Sequence, residues 1–189
     1  MPLTPLLGRA ILGAFGWKTV GEPPPHPKYV LVAAPHTSNW DFPFAISTFW
    51  KLGVPLHWIG KHTLFEGPFG PFFRAMGGIP VDRRSSQNMV QEIARRFAEA
   101  ERLVVAVPVE GTRQRQEHWK SGFYHIARAA DVPVVLGALD FEKKEATLGP
   151  AIFLTGDMKA DMDRIRAFYA DKIGKNPEWF GPVRLKDEA

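Results

Sequence analysis

The stretch YVLVAAPHTSNWDF, residues 29–42, decides the fold. Its first half, Tyr29–Ala34, is apolar without interruption, as a strand buried on both faces requires. Its second half puts a histidine, three small hydrogen-bonding side chains, a tryptophan and an aspartate into the six positions His36–Asp41. Open α/β sheets bind their ligands beyond the carboxyl ends of their strands, so concentrated polarity directly after a core strand marks a candidate site.

Further apolar runs repeat the pattern: PLHWIG (55–60), GIPV (78–81), RLVVAVP (102–108) and VPVVLGAL (132–139). Helical spacing occupies several of the intervals. Over residues 86–101, Val90, Ile93, Phe97 and Ala100 share one face while Gln91, Glu92, Arg95 and Glu99 share the other. Over 158–173, Met158, Met162, Ile165 and Tyr169 align in the same way. Strands alternating with helices predict a single α/β domain whose central sheet is mostly parallel and flanked by helices.

Before this domain, Leu3, Leu6, Leu7, Ala10, Ile11, Ala14 and Phe15 recur at helical spacing, and the breaker-rich GEPPPHP follows at 21–27. The expected division is an amphipathic helical segment over 1–21, a stiff proline-rich linker over 22–28 and the α/β domain over 29–189. The first helix either lies on a membrane or covers an edge of the core.

Composition narrows the function. The chain has 189 residues, of which 45% are hydrophobic, enough for a core without metals or disulfides. It has no cysteine, which excludes disulfides and thiolate nucleophiles. The apolar start is interrupted by Arg9, falls short of the roughly 20 residues that cross a bilayer, and lacks the marks of a signal peptide. These features predict an intracellular, non-spanning protein. A net charge of +4 favours anionic partners such as phosphates or an anionic membrane surface. The basic residues form pairs rather than one block, so nucleic-acid binding is not demanded. His57, His62, His118 and His125 are scattered without ligand spacing, and no metal site is predicted.

His36 and Asp41 are five positions apart, a spacing that neither a regular helix nor a strand turns to one side. A turn built on Pro35, Ser38 and Asn39 does bring them together. If a helix opens near Asn39–Asp41, the aspartate lies where the positive end of the helix dipole favours a carboxylate. One imidazole nitrogen then bonds the carboxylate and the other is left as a base. The bland alternative is an N-cap aspartate beside a satisfied strand-end histidine. Two more strand exits carry polar sets: GGIPVDRR (77–84), with Asp82 and Arg83, and VPVEGTRQR (107–115), with a carboxylate, a glycine, a hydroxyl and an arginine.

Taken together these sets resemble the glycerolipid acyltransferases, the family of 1-acylglycerol-3-phosphate acyltransferases. The pattern HxSxxD appears as His36, Ser38 and Asp41, and a GxIxxDR-type motif as the run GGIPVDR (77–83), which holds Gly78, Ile79, Asp82 and Arg83. The PEGTR-type motif appears as Glu110, Gly111, Thr112 and Arg113, followed by the strand Val132–Val135. The resemblance covers about residues 30–140. Val109 stands where the family usually has proline, and Leu136 where a second proline is common.

The resemblance implies a glycerol-3-phosphate acyltransferase-like fold and catalysis by His36, held by Asp41, on an acceptor hydroxyl. The acyl donor is a thioester of coenzyme A or acyl carrier protein, and no cofactor is required. Arg83, Glu110, Gly111, Thr112 and Arg113 become acceptor-binding candidates, and Ser38 either supports the turn or bonds the substrate. A lysophospholipid-like acceptor and a peripheral place on the cytoplasmic face of the membrane complete the expectation. Two other readings stand beside it: a hydrolase or thioesterase using Ser38 as nucleophile, and a non-catalytic lipid-binding protein. The phenylalanine-rich LFEGPFGPFFRAMGG (64–78) serves either an acyl-chain groove, a membrane-facing patch or the core, and Trp119 and Lys120 either wall the pocket or open a helix.

Overall fold

The computed structural model describes residues 3–81 and 86–188. Among these residues seven strands form one sheet: β1 (Lys18–Val20), β2 (Lys28–Ala33), β3 (Leu56–Lys61), β4 (Gly78–Val81), β5 (Leu103–Pro108), β6 (Val134–Asp140) and β7 (Glu145–Ile152). Their order is β1-β7-β6-β2-β5-β3-β4, and every pairing is parallel except β6 with β7. The α/β expectation holds. Two predicted helices run α4 (Ser86–Glu99) and α6 (Met158–Tyr169), slightly shorter than their periodic patterns.

The stretch quoted first becomes the middle of the sheet, because β2 is flanked by β5 and β6 and can be apolar throughout. Its residues alternate between two cores, as strand geometry dictates. Tyr29 and Leu31 pack with Ile46 and Phe49 of α2 (Asp41–Leu52), while Val30 and Val32 face Ile93 and Phe97 of α4, Phe123 and Ile126 of α5 (Gly122–Ala130), and Ile165 and Tyr169 of α6. The result is a sheet between two helical layers. Tyr169, 1% exposed, sends its hydroxyl to the carbonyls of Val32 at 2.9 Å and Gly137 at 3.2 Å, tying α6 to the end of β2 and the middle of β6.

Three elements extend beyond what the sequence pattern announces. β7 returns antiparallel after a tight turn in which Asp140 Oδ1 accepts the N–H groups of Glu142 and Lys143. Short α3 (Gly70–Ala75) follows a 3₁₀ turn at His62–Phe65. β1 adds a parallel edge strand beside β7. The segment expected as a separate N-terminal helix is packed onto this body: in α1 (Leu3–Ala14), Leu12 is buried and Gly8 lies against the Ser47 carbonyl of α2, an approach that any Cβ would obstruct. Leu6, Leu7 and Phe15 of the same segment remain exposed. Among the described residues no helix is long and apolar enough to cross a membrane.

Candidate active site

The chain leaves β2 through a cis Ala34–Pro35 bond, and seven residues, Ala34–Trp40, carry it into α2. Ser38 shapes that turn: its Oγ accepts the Trp40 N–H at 3.1 Å, and its own N–H donates to Asp41 Oδ2 at 2.9 Å. Asp41 is the first residue of α2, in the electropositive first turn, as the spacing suggested. The same Oδ2 lies 3.1 Å from His36 Nδ1. The expected histidine–carboxylate contact is therefore present. The His36 side chain is 22% exposed and that of Asp41 only 7%, so the imidazole opens outward while its partner is shielded.

Glu110 enters from the far side. It follows β5, is 2% exposed, and its Oε2 accepts the His36 N–H at 2.7 Å. Burial, with the nearby Asp41 charge adding to it, pushes its carboxyl up to about 8, against the pull of the His36 N–H. Glu110 Oε1 and Asp41 Oδ1 are both buried without a hydrogen-bond partner. The sequence marks Glu110 as a candidate for touching substrate, whereas its observed contact is with the backbone that carries His36. Gly111 takes φ +72°, a left-handed turn that glycine adopts freely, and the stem of Lys120 lies across its open side. Lys120 N–H in turn donates to the Val109 carbonyl at 2.7 Å. Thr112 Oγ1 accepts the Gln114 N–H at 3.4 Å within this loop. Arg113 is exposed, lines the cavity described next, and is engaged by no carboxylate among the described residues. Asp82 and Arg83, the second motif, lie outside the described residues.

His36, Asn39, Asp41 and Arg113 line a cavity of about 410 Å³. It runs between α2 and the sheet, with Phe42, Ala45, Ile46 and Phe49 above and Leu31, Ala33, Ala106 and Leu148 below. The space exists because alanines and Gly137 stand toward the carboxyl ends of β2, β5 and β6 where larger residues would fill it. Trp58, Gly60, Leu64 and Phe73 line it on the β3 side, so part of the phenylalanine-rich segment does border a groove. Phe65 is instead core, and Phe69 and Phe72 are 70% and 56% exposed. A polar pair at one wall of an apolar cleft is the ordinary form of a site for an amphipathic small molecule.

Two contributions come from residues that carry no motif. Asn176 holds the loop at Thr37, and Lys175 Nζ lies 5.8 Å from the centre of the Trp40 ring. Nothing in their local sequence signals either contact, which depends on chain that returns to the site after α6.

A search of curated proteins gives no match. Among solved structures, the chain is similar to the 1-acyl-sn-glycerophosphate (LPA) acyltransferase PlsC from Thermotoga maritima, with a TM-score of 0.61 and 14% identity, over 90% of this chain and 78% of that one. At that identity the likeness is one of fold. The sequence profile described as Acyltransferase matches residues 19–136, a span that holds the His36 loop and the Glu110–Arg113 loop. With well over half of its length inside that match, the chain belongs to the acyltransferase family.

Proposed function

We propose that the chain is an O-acyltransferase that moves a fatty acyl group from a coenzyme A or acyl-carrier-protein thioester to the hydroxyl of a lysophospholipid-like acceptor such as 1-acylglycerol-3-phosphate. The observation that carries the reading is the 3.1 Å contact between His36 Nδ1 and Asp41 Oδ2 at the wall of the apolar cavity. With Nδ1–H held by the carboxylate, Nε2 is the free base. Nε2 takes the proton of the acceptor hydroxyl as that oxygen attacks the thioester carbonyl carbon. The tetrahedral intermediate then collapses with cleavage of the C–S bond, and the imidazolium returns the proton to the leaving thiolate. No acyl-enzyme forms. The acyl chain occupies the cavity beneath α2, and Arg113, with Lys120 and Arg83, receives the anionic head group of the acceptor.

The enzyme works at the cytoplasmic face of a membrane without crossing it. Exposed Leu6, Leu7, Phe15 and Trp40 on one flank and Phe69 and Phe72 on another offer apolar contact, and the net positive charge favours anionic lipid. The hydrolase alternative needs Ser38 as nucleophile, but its Oγ is occupied by the Trp40 N–H in the turn.

The test is thiol release by purified protein from long-chain acyl-coenzyme A and acyl-carrier-protein donors against a panel of lysolipid acceptors. Release should require acceptor, and His36→Ala should lower it by about 10²-fold or more with the fold intact, the scale of general-base help. Ser38→Ala should retain most of the activity. Acceptor-independent release that vanishes in Ser38→Ala would make the protein a hydrolase, and turnover unchanged in His36→Ala would remove His36 from the chemistry.

A further inference from the structure

The segment Ile173–Asn176 returns from α6 and lies against the loop that presents His36, well outside residues 19–136 of the family match. Asn176 makes two bonds to Thr37, the residue after His36: its Nδ2 donates to the Thr37 carbonyl at 2.7 Å, and its N–H donates to Thr37 Oγ1 at 3.2 Å. Thr37 is fully buried by this contact and its surroundings. Gly174 is packed so closely that a Cβ there would lie 2.6 Å from Thr37 Oγ1 and 2.9 Å from Pro35 Cβ. The segment is itself anchored at its start, where the Phe141 N–H donates to the Ile173 carbonyl at 2.9 Å. Further along, Arg115 Nη1 donates to the Phe180 carbonyl at 2.9 Å, so the same tail also reaches the loop that follows Arg113.

The backbone at His36 is thus held from both sides. Glu110 takes its N–H from below, and Asn176 takes the next residue's carbonyl and hydroxyl from above. Both grips fix the direction in which the His36 Cα–Cβ bond points, and with it the Nδ1 contact to Asp41. A side chain has few staggered positions, so a rotated peptide moves the ring by more than a rotamer adjustment recovers.

We propose that Asn176 is a positioning residue for His36, and that the tail segment Ile173–Asn176 belongs to the active site as a clamp on its loop. The proposal rests on the reading of His36 as the base. Asn176→Ala is expected to lower kcat by about 10- to 100-fold, the scale of a reacting group displaced by a fraction of a bond length to an ångström, with KM changed less than about twofold. Asn176→Asp keeps the size but loses the donor to the Thr37 carbonyl, and should be at least as impaired. Gly174→Ala pushes on Thr37 and Pro35 by an independent route and should show the same loss of kcat, again with KM little changed.

A readout independent of turnover separates this inference from the function. In protein labelled with ¹⁵N-histidine, and with the His36 signals assigned by their absence in His36→Ala, the wild type should show one fixed tautomer, Nδ1 protonated and Nε2 free. Asn176→Ala and Gly174→Ala should shift those signals toward tautomer averaging. Should Asn176→Ala fail to fold, Asn176→Ser and Gly174→Ala decide by the same measurements. Variants that melt lower but keep kcat within twofold and an unchanged His36 tautomer would overturn the proposal and leave the tail a structural element only. If wild type transfers no acyl group while the tautomer shifts as expected, the positioning stands and the acyltransfer reading fails.

Discussion

Glu110 lies at the end of a core strand, with its carboxyl held by the His36 N–H and otherwise enclosed. Its ordinary value near 4.5 is raised to about 8. At the acid end the carboxyl is protonated in folded and unfolded chains alike. From there up to about 8 only the folded chain retains the proton, so this group's contribution to stability is present in acid and lost as pH rises. Glu110→Gln keeps an oxygen to accept the His36 N–H and cannot titrate. The melting temperature of the wild type should therefore fall relative to Glu110→Gln as pH is raised from about 5 to about 8.5, and parallel curves would contradict the assignment. The sequence flagged this residue through its motif and a pocket-facing role. What it does not carry is the direction of the side chain, because the turn at Gly111 and the packing of β5 beside β2 aim Glu110 at a backbone amide rather than at the cavity.

At the scale of elements, α1 has two faces with different tasks. Gly8 and Leu12 seat it on α2 and the neighbouring core, whereas Leu6 and Leu7 remain exposed. Replacing both by serine should leave the melting temperature nearly unchanged, since exposed substitutions usually alter stability by less than about 0.5 kcal/mol. Sedimentation with vesicles containing anionic lipid should fall at least severalfold; undiminished sedimentation would place the membrane contact elsewhere. The elements were unequally legible. β2, β5 and β6 announce themselves because central strands buried on both sides must be apolar throughout. β7 escapes notice because EATLGPAI carries Gly149 and Pro150 and is only half buried, and β1 is three residues long.

Seen as a whole, the molecule places its histidine–aspartate contact and its apolar cleft under one helix, since α2 both begins with Asp41 and roofs the cavity. Ala45 is the small residue in that roof. Ala45→Phe should reduce kcat/KM for long-chain thioesters about tenfold or more relative to short-chain ones, each excluded methylene being worth about 1–3 kcal/mol at most. An equal loss for all chain lengths would show that the cleft does not hold the acyl chain. The order of strands and motifs along the sequence was enough to anticipate the layered architecture and the meeting of His36 with Asp41. The grip of Asn176 on Thr37 was not, since it joins residues 139 positions apart through a tail without recurring pattern.

The hydroxyl of Tyr169 carries a practical consequence. It reaches the end of β2 and the middle of β6 from a helix that begins after the recognisable similarity stops, and residue 136 itself falls inside β6. A fragment trimmed to that similarity would retain the His36 and Glu110–Arg113 loops while forfeiting a hairpin partner and one wall of the hydrophobic interior. The stretch that identifies the protein and the stretch that can fold are consequently of different lengths, and shortened expression products should be drawn to the second.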